Sequence, residues 1–221
     1  MSFDEQRFNL VKSLAESGII KSKRVMDAML KVPREEFVLP RYKRFAYVDS
    51  PLPIYDGQTI SAPHMVAIMC ELLDLQPGHI VLEVGAGSGY HAAVCAELVS
   101  PGGHVYTIEI IESLVKFARE NLKRTGYDKV VTVIHGDGSQ GYPDKAPYDR
   151  ILVTAAAPSI PKPLIEQLKV GGIMVLPVGA PSFSQDLLVV RKTEKSKFTV
   201  KNYGPVAFVP LVGKFGWKGW V

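Results

Sequence analysis

The sequence predicts an α/β fold, a doubly wound and mostly parallel sheet with extra N-terminal helices, on three observations. Short, β-branched apolar runs recur from residue 80 onward, amphipathic helical stretches separate the earlier runs, and a glycine-rich turn follows the first of them. Strand–helix alternation of this kind implies a parallel sheet with helices on both faces. A chain of 221 residues is long enough for one large domain, and 47% hydrophobic with 22% charged residues is ordinary for a globular protein.

Residues 4–31 read as helical, with Phe8, Val11, Leu14 and Ala15 at helical spacing, a break at Gly18, then Val25, Met26, Met29 and Leu30. Pro33 stops that second helix. Pro40, Pro51, Pro53 and Gly57 mark residues 38–57 as an irregular connection, and a further helix starts from Ser61 and runs to Pro77-Gly78. The apolar runs are 80–84, 105–108, 130–134, 151–154, 173–178 and 187–190, each free of charge except near its ends, as strands buried on both faces should be. Helices are expected at 91–98, 114–123 and 164–168. No helix separates the run 187–190 from Phe198–Val200, so the sheet should close with an antiparallel pair. Three segments of one structural unit are expected: 1–60, 61–190 and 191–221.

Composition narrows the function classes. No apolar run reaches the roughly 18–20 residues that span a bilayer. The opening MSFDEQRFNL carries acids and lacks a long apolar stretch, so no secretory signal and a cytoplasmic location are expected. Cys70 and Cys95 lie in apolar helical stretches and read as packing residues in a reducing compartment, not as a disulfide or metal pair. Residues 1–50 carry 10 basic and 7 acidic side chains, residues 51–190 carry 9 and 14, and residues 191–221 carry 7 and 1. The basic group Arg191, Lys192, Lys195, Lys197 and Lys201 lacks the aromatic interleaving of a nucleic-acid surface and reads as a solvated strand and turn.

The strongest local signal is VLEVGAGSGY, where a strand runs into Gly85-x-Gly87-x-Gly89 and opens a helix. Such glycines let the backbone turn tightly and approach a ligand. A dinucleotide fingerprint is G-x-G-x-x-G, and here the third glycine comes one residue early. Glu83 is expected to point an acid toward the same crevice, which suits a cationic sulfonium better than a pyrophosphate. S-adenosylmethionine is therefore expected over NAD. Glu109 ends the second strand, 20 residues past Gly89, where an acid can take both ribose hydroxyls. Asp137, in HGDG, ends the third strand, where a carboxylate can accept from an adenine amino group.

Upstream lies DGQTISAPHM. Physics alone makes Ser61 a helix N-cap and Pro63 an early-helix proline. A hydrolytic Ser61–His64 pair is rejected, because no G-x-S-x-G elbow is present.

Taken together, GQTISAPHM, VLEVGAGSGYHAA, Glu109, HGDG, LKVGGIMVLPVG and VAFVPL resemble the protein-L-isoaspartate (D-aspartate) O-methyltransferase family, from about residue 10 to residue 211. The glycine loop is shared by many methyltransferases, whereas QTISAPHM together with FVPL is specific. The resemblance implies a seven-stranded class I S-adenosylmethionine-dependent methyltransferase sheet whose last two strands are exchanged in order. It implies that Thr59, Ile60, Ser61 and His64 lie over cofactor and substrate, with Ser61 the catalytic residue. Gly85, Gly87, Gly89, Glu109, Asp137 and Gly138 match cofactor positions; Glu83, Ala86 and Ser88 complete the expected set. Val206, Phe208, Val209, Pro210 and Leu211 are expected to bind substrate, the peptide adding to them as an extended strand. The ending Gly213–Trp220 matches no family motif.

The implied reaction moves a methyl group from S-adenosylmethionine to the free carboxylate of L-isoaspartyl or D-aspartyl residues, leaving S-adenosylhomocysteine. A carboxylate with a pKa of about 4 is already ionised near neutrality, so no general base is needed. Ser61 is then a hydrogen-bond donor that orients the acceptor and not a nucleophile. No metal is expected, since His64, His79, His91, His104 and His135 show no ligand spacing with the cysteines. The expected partners are damaged proteins, engaged by a monomer, with no nucleic acid or membrane. One rival is a methyltransferase for RNA or a small molecule. Against it, Thr154-Ala155-Ala156-Ala157-Pro158 offers no polar group for an exocyclic amine. The other rival is a cofactor-binding adaptor without catalysis.

Overall fold

The computed structural model describes residues 1–181 and 185–218. Helix α1 (Phe3–Glu16) begins with a reciprocal capping box: Glu5 N–H donates to Ser2 Oγ, and Ser2 N–H donates to Glu5 Oε2. Helix α2 (Lys23–Lys31) is capped by Ser22. The Glu71 carboxylate on α3 (Pro63–Leu73) accepts from Lys21 N, Ser22 N and Ser22 Oγ at 2.8–3.0 Å, which ties the start of α2 to the core. Between α2 and α3 the irregular connection contains two 3-10 turns and a small hairpin, β1 (Leu52–Pro53) with β2 (Thr59–Ile60).

The main elements then alternate as expected: β3 (Ile80–Val84), α4 (Tyr90–Val99), β4 (His104–Glu109), α5 (Glu112–Thr125), β5 (Val131–His135), β6 (Tyr148–Val153), α6 (Lys162–Gln167), β7 (Leu168–Val178), β8 (Gln185–Glu194) and β9 (Lys197–Val206). They form one seven-stranded sheet in the order β5-β4-β3-β6-β7-β8-β9, with β8 and β9 antiparallel and in chain order at one edge. Both faces of β3 are buried: Val81 belongs to the core under α3, α4 and α5, while Leu82 and Val84 belong to the core on the α6 side. Double-sided burial is why this strand is apolar at every position but Glu83.

Several details depart from the sequence reading. Helix α3 ends at Leu73, short of Pro77-Gly78, and β7 begins at Leu168, where a helix is expected. Strand β9 extends well past Phe198–Val200. Its residues are exposed almost throughout, and a solvated edge strand carries no apolar pattern to read. Strand β8 runs through residue 190 without a break. Lys192 is buried and leaves the supposed basic face: its Nζ donates to the carbonyls of Ile165, Glu166 and Leu168 at 2.7–3.3 Å, satisfying the end of α6.

Candidate active site

A cavity of about 470 Å³ opens at the carboxyl ends of β3, β4 and β6, where an open α/β sheet binds its ligand. The volume lies in the range of small-molecule sites. Its floor is the glycine loop. Gly85 and Gly87 have φ of +98° and +52°, and a Cβ on Gly85 would stand 2.4 Å from Thr154 Oγ1. Glycine is therefore required where the loop crosses β6. Thr154, to which the sequence assigns no role at the loop, donates to the Gly85 carbonyl at 2.8 Å.

The amides of Gly85, Ala86 and Gly87 are committed inward. Gly85 N and Ala86 N donate to the Ile108 carbonyl at 2.8 and 3.2 Å, and Gly87 N donates to Glu109 Oε2 at 3.0 Å. A pyrophosphate loop aims such amides at its ligand. Here they face β4, and Glu109 borders the cavity. This donor pattern fits a ligand with hydroxyls and positive charge and argues against a dinucleotide.

Among the expected residues, Thr59, Ile60 and Ser61 border the cavity from the segment above it. Gly85 to Ser88, Glu109 and Gly138 border it from the sheet, and Val209, Pro210 and Leu211 from a strap beyond β9. Ser61 is not a helix cap: the N-cap of α3 is Ala62, without a side-chain hydrogen bond. Asp49 Oδ1 takes over by accepting from both the amide and Nδ1 of His64 at 2.9 Å, so His64 is held beside the mouth and does not line it. Nothing in the sequence marks Asp49, 15 residues upstream, as that partner.

Two of the expected acids sit elsewhere. Glu83 does not face the crevice, because strand alternation puts it on the same side as Val81, wholly buried behind the loop. Its Oε2 accepts from the Thr107 hydroxyl at 2.5 Å, while Oε1 has no partner among the described residues. Burial lifts its carboxyl to about 7, against the pull of His91 and Thr107. Asp137 does not line the cavity either. Its carboxylate accepts from Ser139 N, Ser139 Oγ, Gln140 Nε2 and Lys214 N at 2.6–3.0 Å, which makes it the anchor of the chain's end.

Residues 212–217 fold back beside the cavity. Val212 lines it, Phe215 N donates to Ser139 Oγ at 3.0 Å, and Trp217 Nε1 donates to the Ala156 carbonyl at 3.0 Å. Gly219 and Trp220 lie outside the described residues. A Cβ on Gly213 would meet Asp137 Oδ1 at 2.0 Å, so this contact needs glycine. Within the strap, Phe208 exchanges both backbone groups with the Gln185 side chain, and Ala156 pairs with Val209 and Leu211. Much of the strap's backbone is thus engaged internally, which leaves little of it for an added peptide strand. Val206 and Phe208 pack against the core and do not line the cavity.

Tyr90 and Asp56 also line the wall, and neither a lone aromatic nor a loop acid carries a site signature. Tyr90 is buried, with its hydroxyl pushed up to about 12 by that burial, and the Arg34 guanidinium lies over its ring at 4.9 Å. Asp56 lines the mouth and accepts from the Ser113 hydroxyl, while Tyr55 packs edge-on against Phe117 with centroids 5.0 Å apart. These two contacts dock the β1–β2 hairpin onto α5.

The family model for protein-L-isoaspartate(D-aspartate) O-methyltransferase matches residues 5–216. A protein-L-isoaspartate O-methyltransferase from Methanopyrus kandleri is 61% identical over 216 residues, covering 98% of this chain and 95% of that one. One of the same name from Staphylothermus marinus is 56% identical and covers 98% of both. Among solved structures, a protein-L-isoaspartate O-methyltransferase superposes with a TM-score of 0.86 at 30% identity, over 95% of this chain and 67% of that one. A candidate enzyme of that class from Plasmodium falciparum, in complex with S-adenosyl-L-homocysteine, gives 0.83 at 29% identity over 93% and 98%.

Proposed function

Because this chain belongs to the protein-L-isoaspartate(D-aspartate) O-methyltransferase family, we propose that it works through the cavity beneath the 59–61 segment. It is an S-adenosylmethionine-dependent protein carboxyl O-methyltransferase. It methylates the free carboxylate of L-isoaspartyl and D-aspartyl residues in damaged proteins, which initiates repair through a succinimide. The observation that carries the reading is that Ser61, the glycine loop, Glu109 and the strap 209–211 border one cavity.

When bound, S-adenosylmethionine supplies the methyl group on its sulfonium. Glu109, fixed by two backbone amides, offers its remaining lone pairs to the ligand's hydroxyls. The loop residues Gly85 to Ser88, with Gly138, give close backbone approach. Ser61, freed from any capping duty, donates to the substrate carboxylate and holds one oxygen in line for attack. The acceptor is already ionised, so the site supplies orientation and exclusion of water and needs no base. The docked hairpin and the folded-back end provide that exclusion.

The same reading takes the enzyme as a monomer in the cytoplasm, acting on proteins and not on nucleic acid. No helix among the described residues is long and apolar enough to cross a membrane, and both cysteines are free and buried, which suits a reducing compartment. Transfer of label from methyl-labelled S-adenosylmethionine to an isoaspartyl peptide tests the reading, and its absence with folded, cofactor-binding protein would overturn it.

A further inference from the structure

The sequence has two cysteines and five histidines, and the fold brings both cysteines to one of the histidines behind the cavity. Cys70 comes from α3. His91 and Cys95 stand four residues apart on α4, close to one helical turn, and so share a face. Cys70 Sγ lies 3.4 Å from His91 Nε2, and one ligand atom from each of the three residues lies within 4.8 Å of the others. All three are buried, and His91 also borders the cavity. His91 Nδ1 is shut off from solvent with no partner among the described residues. No ligand spacing is legible in the sequence because the third donor arrives from a different helix.

We propose that Cys70, His91 and Cys95 supply three of the four ligands of a site for one thiophilic divalent ion of the zinc type, with water in the fourth position, and that the ion staples α3 to α4. Bond lengths of about 2.3 Å to sulfur and about 2.0 Å to nitrogen put tetrahedral donors roughly 3.5–3.8 Å apart, so this cluster needs only small adjustments. Two sulfurs and an imidazole nitrogen select a soft ion over calcium or magnesium, whose ligands are oxygens. Two thiolates, a neutral imidazole and a divalent ion carry no net charge, so no uncompensated charge is buried. Binding sends the two thiol protons to solvent, so uptake strengthens as pH rises. A metal-bound histidine turns its other ring N–H toward an acceptor. Glu83 Oε1, like His91 Nδ1, is buried with no partner among the described residues.

The consequence is mechanical. Helix α3 follows the Ser61 segment and α4 follows the glycine loop, so the ion would fix the two helices that bracket the cavity. Methyl transfer is not routed through it, and the inference holds whichever carboxylate the enzyme methylates.

The test is titration of the full-length, reduced protein with Co²⁺ as an optical stand-in for Zn²⁺. The expected result is thiolate-to-cobalt charge-transfer absorption saturating at about one ion per chain. Zn²⁺ should displace it and raise the melting temperature. Cys70→Ala and Cys95→Ala should each abolish the band while circular dichroism reports the wild-type fold. If neither variant folds, the wild type alone decides: a folded, reduced protein without the band overturns the proposal. An undiminished band in either folded variant overturns it too.

Discussion

Glu109 Oε2 accepts the Gly87 amide at 3.0 Å while Oε1 accepts the Ile111 amide at the same distance. One carboxylate therefore pins the middle of the glycine loop to the end of β4 and the approach to α5. Glu109→Gln puts a donor where one of these acceptors stands. The variant should bind S-adenosylmethionine and S-adenosylhomocysteine about tenfold or more weakly, the usual scale for losing a charge-assisted hydrogen bond. Gly87→Val, which forces a β-branched side chain into a φ of +52°, should do the same. Titration calorimetry giving equal affinities in all three proteins would remove the loop from the site.

Ser61→Ala separates orientation from structure. Because Ala62 is the N-cap of α3, loss of the hydroxyl should shift stability by less than about 0.5 kcal/mol, where a lost cap would cost about 1 kcal/mol. Cofactor affinity should hold and kcat/KM should fall about a hundredfold. A lower melting temperature with normal turnover would restore the capping role.

Asp137 offers a choice between two roles. As an adenine partner, its replacement by Ala would weaken cofactor binding and leave residues 212–217 in place. As the anchor of Lys214 N, its replacement should free the chain's end, and hydrogen exchange should quicken at 212–217 even without cofactor. Unchanged protection there, with cofactor affinity lost, would favour the adenine role.

Glu83 sets a pH dependence. Its folded carboxyl lies near 7 against 4.5 for a free one, so between those values the folded protein holds more protons than the unfolded chain. The stability this group contributes is full below 4.5 and is lost as pH rises through 7. Glu83→Gln keeps an acceptor for Thr107 and removes the penalty. Its advantage over wild type in urea unfolding should therefore grow by roughly 1–3 kcal/mol from about pH 5 to about pH 8. An advantage equal at both would mean that the carboxyl titrates alike in the two states.

The sheet was legible because strands such as β3 are buried on both faces, which favours apolar residues at most positions. The glycine loop was legible because Gly85 and Gly87 occupy left-handed backbone that other residues resist. Glu83 was misjudged because nearness to the loop in sequence says nothing about which face a strand residue takes. Asp137, the Asp49–His64 contact and the Cys70–His91–Cys95 cluster were hidden for a common reason. Each depends on a partner from a distant segment, and pairing across the fold leaves no periodicity in the chain.

The central claim is that the cavity aligns an isoaspartyl carboxylate and no ordinary one. The isoaspartyl linkage runs the backbone through the side-chain carbon, so its free acid is displaced by one methylene from the usual position. A site that acts by alignment should be sensitive to that displacement, since small misplacements carry large rate penalties. The decisive measurement presents two peptides, identical except for an aspartyl or isoaspartyl linkage, with methyl-labelled S-adenosylmethionine. Volatile methanol is then collected after mild base. Label should come from the isoaspartyl peptide and essentially none from its partner. Comparable label from both would contradict the central claim and leave a carboxyl methyltransferase without selectivity for damage.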